Sequence, residues 1–109
     1  MMDGIYLKFY AQESRRHGGQ LLYEWIVELA RTLELPGCSV FHATAGYGHH
    51  RRMHHQAFFE LQGTLPVEIV FALTVEQADL LMSKLCAAKV ELFWVRMPIE
   101  FGFLPGDVA

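Results

Sequence analysis

The chain has 109 residues, a length that suits one domain, 1–109, and it is 52% hydrophobic and 13% aromatic. Nine Lys and Arg face twelve Asp and Glu, a formal charge of -3, so general electrostatic attraction to nucleic acid or an anionic membrane is not expected. No run approaches the roughly eighteen apolar residues of a membrane helix, and the start, MMDGIYLKFYAQ, has no basic segment followed by an apolar one. Neither stable membrane insertion nor secretion is expected, and a cytoplasmic protein follows by elimination. Cys38 and Cys86 are too few for a disulfide framework and read as buried free thiols. The mean hydropathy of +0.18 is high for a short chain. Apolar surface beyond one core would suit a subunit interface.

Residues 5–11, IYLKFYA, read as a first strand, with Ile5, Leu7, Phe9 and Ala11 facing one way and Tyr6, Lys8 and Tyr10 the other. Residues 12–19 form a polar, basic connection that ends in Gly18 and Gly19. From 20 to 34 the period changes. Leu22, Trp25, Ile26, Leu29 and Leu33 make one helical stripe, which Pro36 and Gly37 stop. Residues 38–44 read as a second strand, with Val40 and His42 on one face and Ser39, Phe41 and Ala43 on the other.

Residues 65–73 alternate again, and Pro66 fits only at the beginning of that third strand. Thr74 is a suitable N-cap with Gln77 three residues on, the pattern of a capping box. Ala78, Leu81, Met82 and Leu85 form the second helical stripe. Residues 91–97 read as a fourth strand ended by Pro98. The tail that follows carries Phe101, Phe103 and Leu104 and is expected to pack on its own or a neighbouring subunit.

The order is β-α-β-β-α-β. This gives an α/β (α+β) fold, a ferredoxin-like sandwich of a four-stranded antiparallel sheet with two helices on one face. The second sheet face is left open, with Tyr6, Tyr10, Phe41 and part of 92–97 expected there. Oligomerisation is the simplest way to cover it.

The segment 45–64 between strands two and three has no consistent period and carries the chemistry. Gly46, Tyr47 and Gly48 read as a hinge and amide nest near a ligand, or simply as a strand ending that Tyr47 anchors. Arg15, Arg16, Arg51 and Arg52, with Lys8, are candidates for one anion-binding cleft, because guanidinium groups hold phosphate or carboxylate through paired hydrogen bonds. Their plain alternative is solvated charge on two loops. His49, His50, His54 and His55 are the right ligands for zinc or nickel, and their HH-x3-HH spacing suits a helical turn. No fixed carboxylate or cysteine pair stands beside them, so an exposed His-rich loop is the other reading. No Ser-His-Asp, Cys-His or paired-carboxylate arrangement marks a catalytic site.

The run QESRRHGGQLLYEWIVELARTLELPGCSVFHATAGYG resembles the DUF190 family, proteins similar to the PII nitrogen-regulatory signalling proteins. The resemblance rests on Arg16, His17 and Gly18; Leu22 and Tyr23; Gly37, Ser39 and Val40; Gly46, Tyr47 and Gly48; and Leu65 with Pro66. In organisation it spans about 4–97. It implies a homotrimer with sheets facing inward and a signalling loop at 45–64. It also implies a nucleotide or other small anion bound between subunits, near the loop base and the turn before strand four. That turn, 87–91, holds no glycine here, whereas the PII phosphate-binding turn is glycine-rich.

The expected function is PII-like signalling or small-ligand sensing. A small anionic metabolite or protein partner would order the 45–64 loop. Two alternatives stay open: a metal-binding or metal-tolerance trimer similar to CutA, and a small catalytic module acting on an anionic substrate.

Overall fold

The computed structural model describes residues 1–46 and 65–106. In chain order these form β1 (Met2–Gln12), β2 (Arg16–His17), β3 (Gln20–Leu21), α1 (Leu22–Thr32), β4 (Ser39–His42), β5 (Pro66–Leu73), α2 (Val75–Ala87) and β6 (Phe93–Phe101). The main sheet has the order β4-β5-β1-β6, and each neighbouring pair is antiparallel. It follows that β1 runs parallel to β4 with β5 between them, and β5 runs parallel to β6 with β1 between them. That is the ferredoxin-like arrangement, and each helix makes one crossover.

Alternation decides what the core contains. Leu7 pairs with Phe71, Phe9 with Ile69 and Ala11 with Val67, so the same parity of both central strands faces the helices. Leu22, Ile26 and Ala30 of α1 and Ala78, Leu81 and Leu85 of α2 close over them. Phe71 meets Phe9 edge to face, with ring centroids 6.2 Å apart. Among the described residues no polar side chain is buried in this core. The two stripes read from the sequence are therefore the buried ones, with Met82, Trp25, Leu29 and Leu33 packed at the margin.

The opposite sheet face holds Tyr6, Lys8 and Tyr10. Opposite them stand Ala72, Val70 and Glu68 of β5, and Met97, Val95 and Phe93 of β6. Phe41 of β4 stands opposite Glu68 and joins this face. Neither helix packs on it.

The helix ends follow local chemistry. Thr74 caps α2 with a full capping box: Gln77 N–H donates to the Thr74 hydroxyl at 3.2 Å, and Thr74 N–H donates to Gln77 Oε1 at 2.9 Å. At the far ends Leu35 N–H reaches Ala30 O at 3.0 Å, and Val90 N–H reaches Leu85 O at 3.2 Å. These are paired Schellman closures.

Several expected boundaries move. The first strand runs from Met2 to Gln12 rather than 5–11. At its start Gly4 is obligatory, because a side chain there would collide with the Phe101 ring and the Leu73 carbonyl oxygen. The connection 12–19 is not wholly irregular. Arg16 pairs with Leu21 and His17 with Gln20 in a small hairpin turned by Gly18 and Gly19 at φ 59 and 84, the positive values a two-residue hairpin turn requires. That hairpin takes Gln20 and Leu21, so α1 begins at Leu22.

Pro98 does not end the last strand, which continues to Phe101. Proline is tolerated because β6 is an edge, where one row of backbone groups has no ladder partner to lose. Both cysteines are free, but Cys86 is exposed and Cys38 only half-buried, against the expectation that both are buried. In the single chain Phe103 and Leu104 are 73% and 79% exposed, while Phe101 extends β6 and its ring lies beside Gly4. Among the described residues no helix is long and apolar enough to cross a membrane.

Candidate functional site

Four strand ends meet at one edge of the molecule. Gln12, the last residue of β1, pairs with Pro66, the first of β5. Tyr10 pairs with Phe93, the first residue of β6, and His42, the last of β4, pairs with Val67. The chain leaves β4 for 45–64 here and returns here into β5. Backbone bonds stitch the exits together. Glu13 N–H donates to Leu65 O at 2.9 Å, and Ala43 N–H donates to Pro66 O at 2.9 Å. Helix α1 also starts at this edge. Its Leu22 N–H donates to Arg15 O at 2.7 Å, and its N-cap, Leu21, offers no side-chain cap.

The side chains at this edge come from distant parts of the sequence. Arg15 Nη1 donates to the carbonyl oxygen of Glu91, so β1's exit is strapped to the turn before β6. Arg16 Nη2 instead donates to Gly19 O within its own hairpin. The two adjacent guanidinium groups thus hold different carbonyls and do not share a partner. Glu13 Oε1 lies 3.8 Å from His42 Nε2, a pairing that is ionic only when the imidazole is protonated. Tyr23 meets His42 edge-on at 5.7 Å, and His17 lies against Trp25 at 4.2 Å. A shallow groove beside β4 is lined by Gln20, Tyr23, Glu24, Val27, Glu28 and Val40.

The glycine-free turn 87–91 curls tightly all the same. Lys89 adopts φ 58, and its N–H donates to Cys86 O at 3.0 Å. Lys89 thus takes the left-handed conformation that ordinarily favours glycine, at some cost in backbone strain.

Of the residues singled out from sequence, Arg15, Arg16 and Gly46 lie at this edge. Gly46 sits beside Pro66, where a Cβ would be 3.5 Å from Pro66 Cγ. Tyr47, Gly48, His49, His50, Arg51, Arg52, His54 and His55 lie outside the described residues. Lys8 does not join the arginines. It sits mid-strand on the open sheet face, 2.7 Å from Glu68 Oε1. Away from this edge, Arg96 of β6 pairs with Asp79 of α2 at 2.7 Å. The pairing of Glu13 with His42 and the Arg15 strap were not read from sequence. Strand parity put His42 on the helix side, but no local pattern names its partner.

The described residues limit the chemistry. No group of three or more His, Cys, Asp or Glu side chains among them is placed to hold a metal ion. Burial pushes the Cys38 thiol above its ordinary range, the opposite of what an activated thiolate needs.

The UPF0166 protein of Aquifex aeolicus (strain VF5) is 32% identical to this chain over 63 residues, which cover 58% of this chain and 60% of that protein. The chain therefore spans less than two thirds of that relative's length in the match. The DUF190 model, described as "Uncharacterized ACR, COG1993", matches residues 4–100, a span from the start of β1 almost to the end of β6. A match across both crossovers of this ferredoxin-like sandwich is a match to the whole scaffold, and the chain belongs to the DUF190 family.

Proposed function

We propose that this protein is a PII-like signalling or small-ligand sensor. In this reading a small anion, such as a nucleotide or a carboxylate metabolite, binds at the strand-end edge and changes the conformation of 45–64. The observation that carries the reading is the Arg15 strap. A guanidinium bound to a neutral carbonyl stands between the turn before β6 and the backbone stitched to Leu65. An oxyanion is a stronger partner for that guanidinium than a carbonyl is. Drawing Arg15 from Glu91 onto an anion would loosen the turn and shift the base of the loop together. Only a ligand that favours one arrangement over the other can drive such a change.

In this reading Arg16, Gly46, Tyr47, Gly48, Arg51 and Arg52 complete the ligand site. A homotrimer with sheets facing inward supplies the neighbouring wall, and the protein works in the cytoplasm as a single-domain unit over 1–109. The aromatic and apolar open face supports that packing.

Titration calorimetry with ATP, ADP, phosphate and dicarboxylates tests the reading. Binding of at least one is expected, weakened at least tenfold in Arg15→Ala/Arg16→Ala. Binding unchanged in that variant removes the site assignment. No anion bound at millimolar concentration removes the sensor. Metal uptake lost on replacing His49, His50, His54 and His55 would favour the CutA-like alternative, and turnover of a bound anion the catalytic one.

A further inference from the structure

The open sheet face is aromatic and apolar except at its middle. Phe41, Phe93 and Met97 are 56%, 58% and 46% exposed. Between them Lys8 Nζ lies 2.7 Å from Glu68 Oε1, and the ammonium is 5.7 Å and 5.6 Å from the Tyr6 and Tyr10 ring centroids. The side chains of the pair are only 21% and 28% exposed. It is a small dipole set into a greasy surface.

That composition selects among partners. Lys8 and Glu68 cancel, so the middle of the face offers no net charge to a phosphate backbone or an anionic lipid surface. A wholly apolar partner would cover the pair and strand its remaining capacity. An ammonium has three donors and a carboxylate two acceptor oxygens, and the contact within the chain uses one of each. The missing complement is an acceptor for Lys8 and a donor for Glu68, side by side within an apolar rim. The same face of another copy carries both, at the same spacing.

We propose that this face docks against the same face of neighbouring copies, and that Lys8 of one copy pairs with Glu68 of the next. The pair then decides which copies fit and in what register, while the aromatic rim supplies most of the attraction. This rests on the assembly part of the reading above and assigns its specificity to two residues. An ion pair buried between chains adds little net attraction, but a like-charge mismatch there is strongly unfavourable, so such a pair acts chiefly as a discriminator.

The test uses Lys8→Glu and Glu68→Lys in the full chain, with folding followed by circular dichroism and association by light scattering. Each variant alone places two like charges in the middle of the face and is expected to associate at least tenfold more weakly than wild type. The double swap Lys8→Glu/Glu68→Lys is expected to associate with itself like wild type but not to co-assemble with wild-type chains, because every mixed contact then sets two like charges together. Two folded variants that associate like wild type overturn the proposal and leave the assembly reading standing. A double swap that co-assembles freely with wild type also overturns it, since the pair then acts only within its own chain. A wild-type chain that stays a 12.5 kDa monomer overturns the proposal and the assembly reading together. If the charge variants do not fold, Lys8→Met/Glu68→Met decides. It is expected to associate with itself but to co-assemble poorly with wild type, because each mixed contact sets Lys8 or Glu68 against a methionine without its partner, and free co-assembly with wild type overturns the proposal.

Discussion

Glu34 and Lys89 share one backbone conformation, φ 58 in each, one residue past the C-cap of α1 and of α2 respectively. Both stand where a Schellman closure favours glycine, and neither is glycine. The two N–H groups donate back to Arg31 O at 2.9 Å and Cys86 O at 3.0 Å, so the hydrogen bonds hold the left-handed turn against its steric cost. Replacing either residue with glycine removes the Cβ clash but frees the unfolded chain. The expected net gain is about 0.5–1 kcal/mol each, read from the urea midpoint. Lys89→Val should lose stability, since a branched Cβ fits that conformation worse.

Thr74 closes the start of α2 by a two-way exchange with Gln77. Thr74→Ala removes the acceptor for Gln77 N–H and is expected to cost about 1 kcal/mol, while Thr74→Ser keeps the oxygen and should cost less. Denaturant unfolding of the two variants gives the comparison. Equal losses would mean that the methyl group, not the cap, matters.

The Lys8 ammonium is held well above the ordinary lysine range, first by its hydrogen bond to Glu68 and then by the nearby Glu68, Tyr10 and Tyr6 charges, with burial opposing. A raised folded-state pKa adds stability that is complete below the unfolded value, near 10.5, and is lost as pH climbs toward the folded value. Wild type should therefore lose stability above about pH 10 more steeply than Lys8→Met. Parallel alkaline unfolding curves for the two would show that the pair is not formed in solution.

Arg96 and Asp79 join β6 to α2 at 2.7 Å, but the Asp79 side chain is 62% exposed. Solvent screening limits such a pair, and a double-mutant cycle with Arg96→Met and Asp79→Ala should give a coupling of no more than about 1 kcal/mol. A larger coupling would mean that the edge strand depends on this contact for its attachment.

Much of the scaffold was legible along the chain. The alternation of Ile5, Leu7, Phe9 and Ala11, the stripe through Ala78, Leu81 and Leu85, and the Thr74–Gln77 box each repeat within a few residues. Local geometry alone gives them one reading. The element order then left a ferredoxin-like sheet with one open face. The motifs from Arg16 to Gly48 pointed to the family that the match over 4–100 bears out.

Tertiary structure decided the partnerships. Lys8 met Glu68 because β1 and β5 are neighbours in a register that sets Lys8 opposite Val70 and Tyr10 opposite Glu68. Nothing near Lys8 in the chain distinguishes that carboxylate from another. Arg15 parted from Arg16 because a hairpin at Gly18 and Gly19 holds one while the turn before β6 receives the other. Pro98 stayed in its strand because β6 lies at the edge, and Lys89 curled without glycine because Leu85 and Cys86 offered carbonyls. Periodicity is a local property that the residues carry themselves. The choice of partner depends on which strands lie side by side and in what register, and only the folded chain supplies that.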